Sequence, residues 1–363
     1  MSIARWLARQ GRERLTKLLM PLLAIVTSLF VANLFMFLTD ASPLEACGHL
    51  LTAGFGCRAP DQCALLTTLQ FATPLLLTGL SAAVAFRAGV FSVGQAGQMV
   101  LGAAAAAWLG SHPSLSGVVQ VTIALIGGVV VGAAWGWVPG ALKKLLNINE
   151  VIVTLVMNQL AVLLVGLVRL RRVGAAARLA PLAHGTKLNA GIILALLAAV
   201  LVYVYLWRSA SGYEQRMAGQ APLFARFGGI RERRAVMRAM LISGGLAGLA
   251  GGIEVLGVHY RFVLPFSGGG GFDGVAVALL GQTHPVGVTL AAIFLAGVRL
   301  GATNGLQLKA HVPRELGGAM IAMMILFVSA ERLYSVGITR ALDRASRLFD
   351  RQAPPTGEGQ DAQ

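Results

Sequence analysis

Apolar runs about as long as a bilayer is thick recur along nearly the whole 363-residue chain, and nothing else in the sequence narrows its folds as much. A helix needs about 20 apolar residues to cross a hydrocarbon layer roughly 30 Å thick. Runs that meet this requirement lie at 15–38, 64–86, 90–110, 118–139, 151–168, 189–207, 236–258, 286–303 and 316–334. In hydrocarbon every backbone N–H and C=O must be satisfied internally, so such runs become helices. The composition agrees: 56% of the residues are hydrophobic and only 12% are charged, against about 25% charged in an ordinary soluble domain. The 45 glycines point the same way, because small residues let membrane helices approach closely where lipid supplies no hydrophobic drive. The expected class is an all-α integral membrane protein.

One stretch is abnormal. In "SGGGGFDGVAVALLGQTHPVG", residues 267–287, the apolar part at 274–280 makes about two turns, roughly 11 Å at about 1.5 Å per residue, and cannot cross alone. It reads as a short broken or re-entrant half-helix, which brings the expected total to about ten transmembrane segments. Asp273 is placed to cap its first amides, and Gly281 and Pro285 supply stop signals. The glycine run could otherwise cradle a phosphate, but a P-loop continues with Lys and Ser or Thr. Here Phe272 and Asp273 follow, and no Lys or Arg occurs before Arg299. An acid stands where a base is required, so glycines that let the chain turn back into the membrane are the better reading. The six histidines occur singly without metal-ligand spacing, the cysteines form no C-x-x-C, and no serine sits in a G-x-S-x-G elbow. The chain is expected to hold no cofactor, no metal and no catalytic site of its own.

Charge sets the expected orientation. The net charge is +15, yet the basic residues cluster between apolar runs and form no basic domain of folding size, which argues against nucleic acid. Arg5, Arg9, Arg12 and Arg14 place the N-terminus, 1–14, in the cytoplasm by the positive-inside rule. Ten segments across 15–334 then put both termini inside, with a long inner loop at 208–235 and a cytoplasmic tail at 335–363 whose polar, proline-rich end reads as disordered. One loop fits badly: 169–187 comes out extracytoplasmic although it carries Arg169, Arg171, Arg172, Arg178 and Lys187. Cys47, Cys57 and Cys63 all fall in the first outer loop, where two could form a disulfide; the pairing is left open. The run before "LEAC", 44–47, is too long for a signal-peptide core, so an uncleaved first helix is expected.

Three stretches carry a family resemblance: "FSVGQAGQMVLGA" at 91–103, "NEVIVTLVMNQLA" at 149–161 and "GFDGVAVALLGQTHPVGV" at 271–288. From about residue 64 to 334 the chain resembles the permease subunits of ABC importers for nucleosides and simple sugars, related more distantly to the ribose and branched-chain amino-acid permeases. The resemblance implies the ten-helix architecture of the larger importer type, in the bacterial inner membrane. It also implies a second permease subunit, a paralogue in the nucleoside branch, an ABC ATPase subunit bound from the cytoplasm, and an extracytoplasmic substrate-binding protein. ATP would act only through the partner ATPase. Nucleosides are the expected substrates and simple sugars the alternative; an ion-coupled secondary transporter is the rival from another class, disfavoured by the scarcity of buried acids.

Segment 212–230, "GYEQRMAGQAPLFARFGGI", is similar to the family's coupling segment, a short surface helix that fits a cleft in the ATPase. The matching positions are Gly212, Arg216, Gly219, Pro222, Ala225, Arg226, Gly229 and Ile230. Pro222 suits a first helical turn, and Ala221, Phe224 and Ala225 would form a small apolar face with Arg226 at its edge. The plain alternative is a solvated basic loop that only sets topology. The sequence departs from the family in having Gln220 and Ala221 where an acidic or Asn pair is usual, and Ser92 and Ala96 where Asn and Glu are usual.

Polar groups within spans tend to face the bundle interior or a wet path. Gln95 and Gln98 share a face of the third helix and Asn158 lies mid-span in the fifth; their amides suit sugar hydroxyls or base edges. These residues, with Glu254 and Asp273, are the candidates for a substrate pathway. Interhelical hydrogen bonding is the ordinary explanation of the amides. For the acids, the ordinary explanation is an ion pair between Arg299 and one of them.

Overall fold

The structure, a computed structural model, describes residues 27, 43–57, 63–112, 117–146, 148–168, 171–182, 186–263, 270–307 and 322. The N-terminus at 1–14, the expected spans at 15–38 and 316–334 apart from single residues, and the tail at 335–363 lie outside the described residues. In chain order the helices are α1 (Pro43–Phe55), α2 (Ala64–Arg87), α3 (Gln95–Gly110), α4 (Gly117–Leu146), α5 (Glu150–Gly166) and α6 (Gly191–Arg208). They continue as α7 (Ala210–Gln220), α8 (Pro222–Phe227), α9 (Glu232–Glu254), α10 (Gly270–Leu280) and α11 (Pro285–Gly301). π-helical turns extend α9 to His259 and α11 to Gln307.

Among the described residues, α2, α4, α6, extended α9 and extended α11 are long and apolar enough to cross a membrane, while α5 and α10 are shorter apolar helices. Burial sorts them into layers. The most apolar stretch of α2 is 83% buried and that of α9 78%, whereas those of α4 and α6 are only 28% and 33% buried. Thus α2 and α9 form the centre, and α4 and α6 turn broad apolar faces outward, as helices bordering lipid do.

Glycine makes the centre possible. Gly128, Gly132 and Gly136, one turn apart on α4, lie against Gly244 and Gly248 of α9, and Gly248 also meets Gly102 of α3. Backbone contacts backbone at each of these points, the small-residue packing expected where dispersion rather than hydrophobicity joins membrane helices.

The bundle has two distinct ends. At one, Lys143 of α4 donates to the Gly89 carbonyl at 3.3 Å and to Glu150 at 2.6 Å, Lys144 pairs with Glu232, α7 packs against the end of α2, and α8 packs on α7. At the other, the amides of Gly174, Val173 and Leu179 donate to the carbonyls of Gly110, Tyr260 and Leu256. The basic segment at 171–182 therefore lies at the opposite end from α7 and α8, the relative placement expected from the order of the segments in spite of its positive charge. Cys57 and Cys63 are disulfide-bonded at this far end, beside the start of α2.

Three expectations need correction. The first loop is not simply a loop: α1 forms within it and packs along α11, with Gly54 against Gly297 and Leu50 against Gly301. The third span is not helical from residue 90. Gly89 adopts φ +72°, residues 90–93 are irregular, and α3 begins only at Gln95. The half-helix is longer than expected, 11 residues from Gly270, so Asp273 lies inside its first turn instead of capping it from outside. Packing overrides glycine's poor helix propensity there, because only a residue without a Cβ fits between α10 and its neighbours.

Candidate transport path and coupling surface

Two broken helix ends meet inside the bundle. Gly274 of α10 packs on Thr78 of α2. Thr78 lies nine residues before Arg87, a rise of about 13 Å, close to half of a hydrocarbon layer about 30 Å thick. One turn earlier, Gly271 packs so closely on Ala96 that a Cβ would collide with its backbone. The N-terminus of α10 and that of α3 therefore converge near mid-depth. Both present amides without intrahelical partners and the positive end of a helix dipole, which is how interrupted membrane helices are used to hold polar solutes.

The expected path residues divide in two groups. Asn158 is spent on the protein: its Nδ2 donates to the Val93 carbonyl at 2.9 Å and its Oδ1 accepts from Gly97 N–H at 2.8 Å. Thr154, one turn earlier on α5, accepts from Val93 N–H at 3.4 Å and donates to the Glu150 carbonyl at 2.8 Å. Together they clamp the irregular stretch before α3, so Asn158 holds the break and does not line an open path. Gln95 and Gln98 differ. Gln95 donates to the Ser92 carbonyl at 3.1 Å, but the Oε1 atoms of both glutamines are buried without a partner among the described residues. A buried acceptor left unpaired costs about 1–3 kcal/mol, so these two amides are the ones free to engage water or a solute.

Asn158→Ala is expected to destabilise the protein by about 2 kcal/mol, since it orphans a buried N–H and a buried C=O. That corresponds to a loss of roughly 3 °C in unfolding midpoint for a chain of this size, measurable by size-exclusion chromatography after heating. An unchanged midpoint would return Asn158 to the list of solute contacts.

The acids are separated into different pairs. Asp273 of α10 pairs with Arg299 of α11, the ion pair expected for Arg299, and it ties the half-helix to the following span. Glu254, 5% exposed, lies 3.3 Å from His259 Nε2 within the π-helical turn of α9. Neither carboxylate stands alone.

At the near end, segment 212–230 is two helices, not one. Gly212 and Gly219 are close-approach positions: the first lies on the Tyr205–Leu206 backbone and the second on the backbone of 87–89. Gln215 was not singled out from sequence, yet it is fully buried, donating to the Val84 carbonyl at 2.7 Å and accepting from the Tyr205 hydroxyl at 2.8 Å. A lone glutamine in a polar helix gives no signal of its own; only the docking of α7 on the end of α2 reveals it. Arg216 lies over the Trp207 ring, 5.6 Å from its centroid. Arg87 lies over the same ring at 5.3 Å and donates to the carbonyls of Thr283 and Gln282 at 3.3 and 3.2 Å. Those two residues form the turn from α10 to α11, and both have positive φ, 54° and 52°. His284 packs edge-on against Trp207 at 4.7 Å. Burial first, and then the Arg87 charge, hold its imidazole below the usual histidine range, so it adds no third cation at neutral pH. One aromatic cluster thus joins α7 to the half-helix turn.

α8 begins with Pro222 at its first turn, as expected, but its apolar face is not the expected one. Ala225 is fully buried, while Leu223, Phe224 and Phe227 point outward at 71%, 63% and 92% exposure. A six-residue helix cannot bury both sides, and the small alanine is the side chain that fits against the bundle. Arg226 is exposed beside the aromatic rings, and Gly229 ends the segment at φ +76°.

Residues 64–329 match the family described as "Branched-chain amino acid transport system / permease component". The chain is 36% identical over 334 residues to the guanosine ABC transporter permease protein NupP of Bacillus subtilis, covering 88% of this chain and 94% of that one. It is 28% identical to the nucleoside ABC transporter permease protein NupB of Lactococcus lactis, over 90% of this chain and 94% of that protein. It is 30% identical to the glucose ABC transporter permease protein TsgB13 of Haloferax volcanii, over 94% of each.

Proposed function

Because this chain belongs to the family of branched-chain amino acid transport system permease components, we propose that it is the membrane-spanning subunit of an ATP-driven importer that admits a nucleoside by alternating access. The observation that carries the proposal is α8: Leu223, Phe224 and Phe227 stand exposed on a helix whose base is anchored through α7 to α2 and to the half-helix turn. Exposed apolar side chains on a rigid, basic surface mark a protein-docking site. A partner ATPase seated there would move α7, and the Trp207 cluster would pass that movement to α10, whose far end meets α3 at mid-depth.

The nucleoside assignment is supported by the guanosine and nucleoside permeases among its relatives, and by two buried amide acceptors suited to the donors on a base or ribose. In this reading the α8 end is cytoplasmic, ten segments cross the bacterial inner membrane, and both termini lie inside. A paralogous second permease and an extracytoplasmic binding protein complete the assembly, and ATP is bound only by the ATPase. An ion-coupled mechanism gains nothing from the described residues, where Asp273 and Glu254 are already paired with basic side chains.

Reconstitution of the chain with its partner subunits in vesicles tests the proposal. ATP-dependent, saturable uptake of guanosine is expected. Uptake of glucose but not guanosine would overturn the substrate, and uptake driven by an ion gradient without ATP would overturn the mechanism.

A further inference from the structure

The near end also carries a cavity beside the coupling segment. The cavity, of about 490 Å³, opens among α4, α7 and α9, and its lining changes character along its depth. Its inner wall is apolar, from Trp137 of α4 and Leu241 of α9, with Met237 partway between that wall and the mouth. Its mouth is basic, from Arg231, Arg234 and Arg238. We propose that this cavity binds one anionic phospholipid, the phosphate between the arginines and an acyl chain along the Trp137–Leu241 wall.

Three observations support the assignment. The first is charge. The lining holds three arginines and one acid, Glu214, so 3 − 1 leaves two cations in excess. Glu214 is already engaged by Arg238, whose other terminal nitrogen donates to the Ser211 hydroxyl at 2.8 Å. Arg231 and Arg234 are exposed and have no carboxylate partner among the described residues. Two guanidiniums that line one cavity from positions three residues apart favour an anion between them.

The second is depth. Arg234 and Leu241 are seven residues apart on α9, about 10 Å along the axis. Over that distance the lining passes from guanidinium to hydrocarbon, which matches the passage from headgroup layer to acyl core at a bilayer surface. Basic pockets between membrane helices at this level are suited to anionic headgroups.

The third is the wall. Trp137 and Leu241 are large apolar side chains left 41% and 37% exposed on helices that cross the membrane, and α4 is the least buried of those spans. A free phosphate would satisfy the mouth and leave this wall uncovered. A phospholipid covers both. Gly229 lines the rim in the left-handed conformation, φ +76°, that favours glycine.

Native mass spectrometry of the full-length protein, exposed to mixed micelles of phosphatidylglycerol and phosphatidylcholine, provides the test. The wild type is expected to retain one phosphatidylglycerol in preference to phosphatidylcholine, and excess inorganic phosphate should leave it bound. Arg231→Gln with Arg234→Gln should lower that preference by about tenfold or more. Arg231→Lys with Arg234→Lys should keep most of it, and Arg171→Gln with Arg172→Gln at the opposite end should not alter it. The targeted arginines are exposed, so all variants should elute and melt like the wild type. Equal retention of the two lipids, an undiminished preference in the double Gln variant, or displacement by phosphate would each overturn the site. So would loss of the lipid on binding of the partner ATPase, since the arginines would then belong to a protein interface.

Discussion

Phe224→Asp together with Phe227→Asp will leave the permease folded and stop ATP-driven uptake. Both rings are exposed, at 63% and 92%, so their replacement removes almost no intramolecular packing, and surface changes of this kind usually shift stability by less than about 0.5 kcal/mol. Against a partner the balance is reversed. Two aromatic anchors desolvated in a cleft contribute about 2 kcal/mol or more each, and every 1.4 kcal/mol or so is tenfold in affinity. The expected loss of ATPase binding is therefore on the order of several hundredfold, seen as failed co-purification and as uptake reduced to the ATP-free background. Ala225→Asp provides the contrast: that side chain is fully buried, and an unpaired carboxylate there should unfold the end of the bundle instead. Normal co-purification and uptake by the double Asp variant would remove α8 as the docking element.

Gly248→Leu will have the largest effect on the fold itself. A Cβ at this position would meet the carbonyl of Gly128 and the Cα of Gly132, and the same residue lies against Gly102. Both obstacles are backbone, which cannot rotate away as a side chain can. Overpacking of a tight core costs about 1–3 kcal/mol when side chains can shift; here three helices must separate, and the cost should exceed that range. The expected result is loss of a monodisperse peak on size exclusion. Gly166→Ala, where nothing lies within 4 Å of an added Cβ, should be neutral or slightly stabilising, since alanine is the better helix former by about 1 kcal/mol. If Gly248→Leu melted like the wild type, the α3–α4–α9 glycine crossing would not be the centre of the fold.

The helices at 64–86, 118–139, 151–168, 189–207, 236–258 and 286–303 were legible from the sequence, because a long apolar run has one stable conformation in lipid whatever its neighbours are. α1 was not, since its 13 residues are too few to cross and only α11 gives them a surface to pack on. The break before α3 was also hidden. Residues 90–110 read as one apolar run, and the irregular start exists because Asn158 and Thr154 of α5 satisfy its backbone. Asn158 looked like a solute contact for the same reason that it makes a good clamp: an amide both donates and accepts. The ion pair of Arg299 was foreseeable as a pairing, but the choice of Asp273 over Glu254 depended on which helix lay alongside.

By itself the sequence determined that this protein is a multi-pass helical membrane protein, and its motifs carried the likeness to ABC permeases. The first of these follows from transfer of each apolar run between water and lipid, a cost that each run bears separately. Tertiary structure alone decided which polar groups remain free at mid-depth and which face of α8 meets solvent. Those outcomes depend on whether a neighbouring helix supplies a hydrogen-bond partner or a surface, and no single run of residues contains that information.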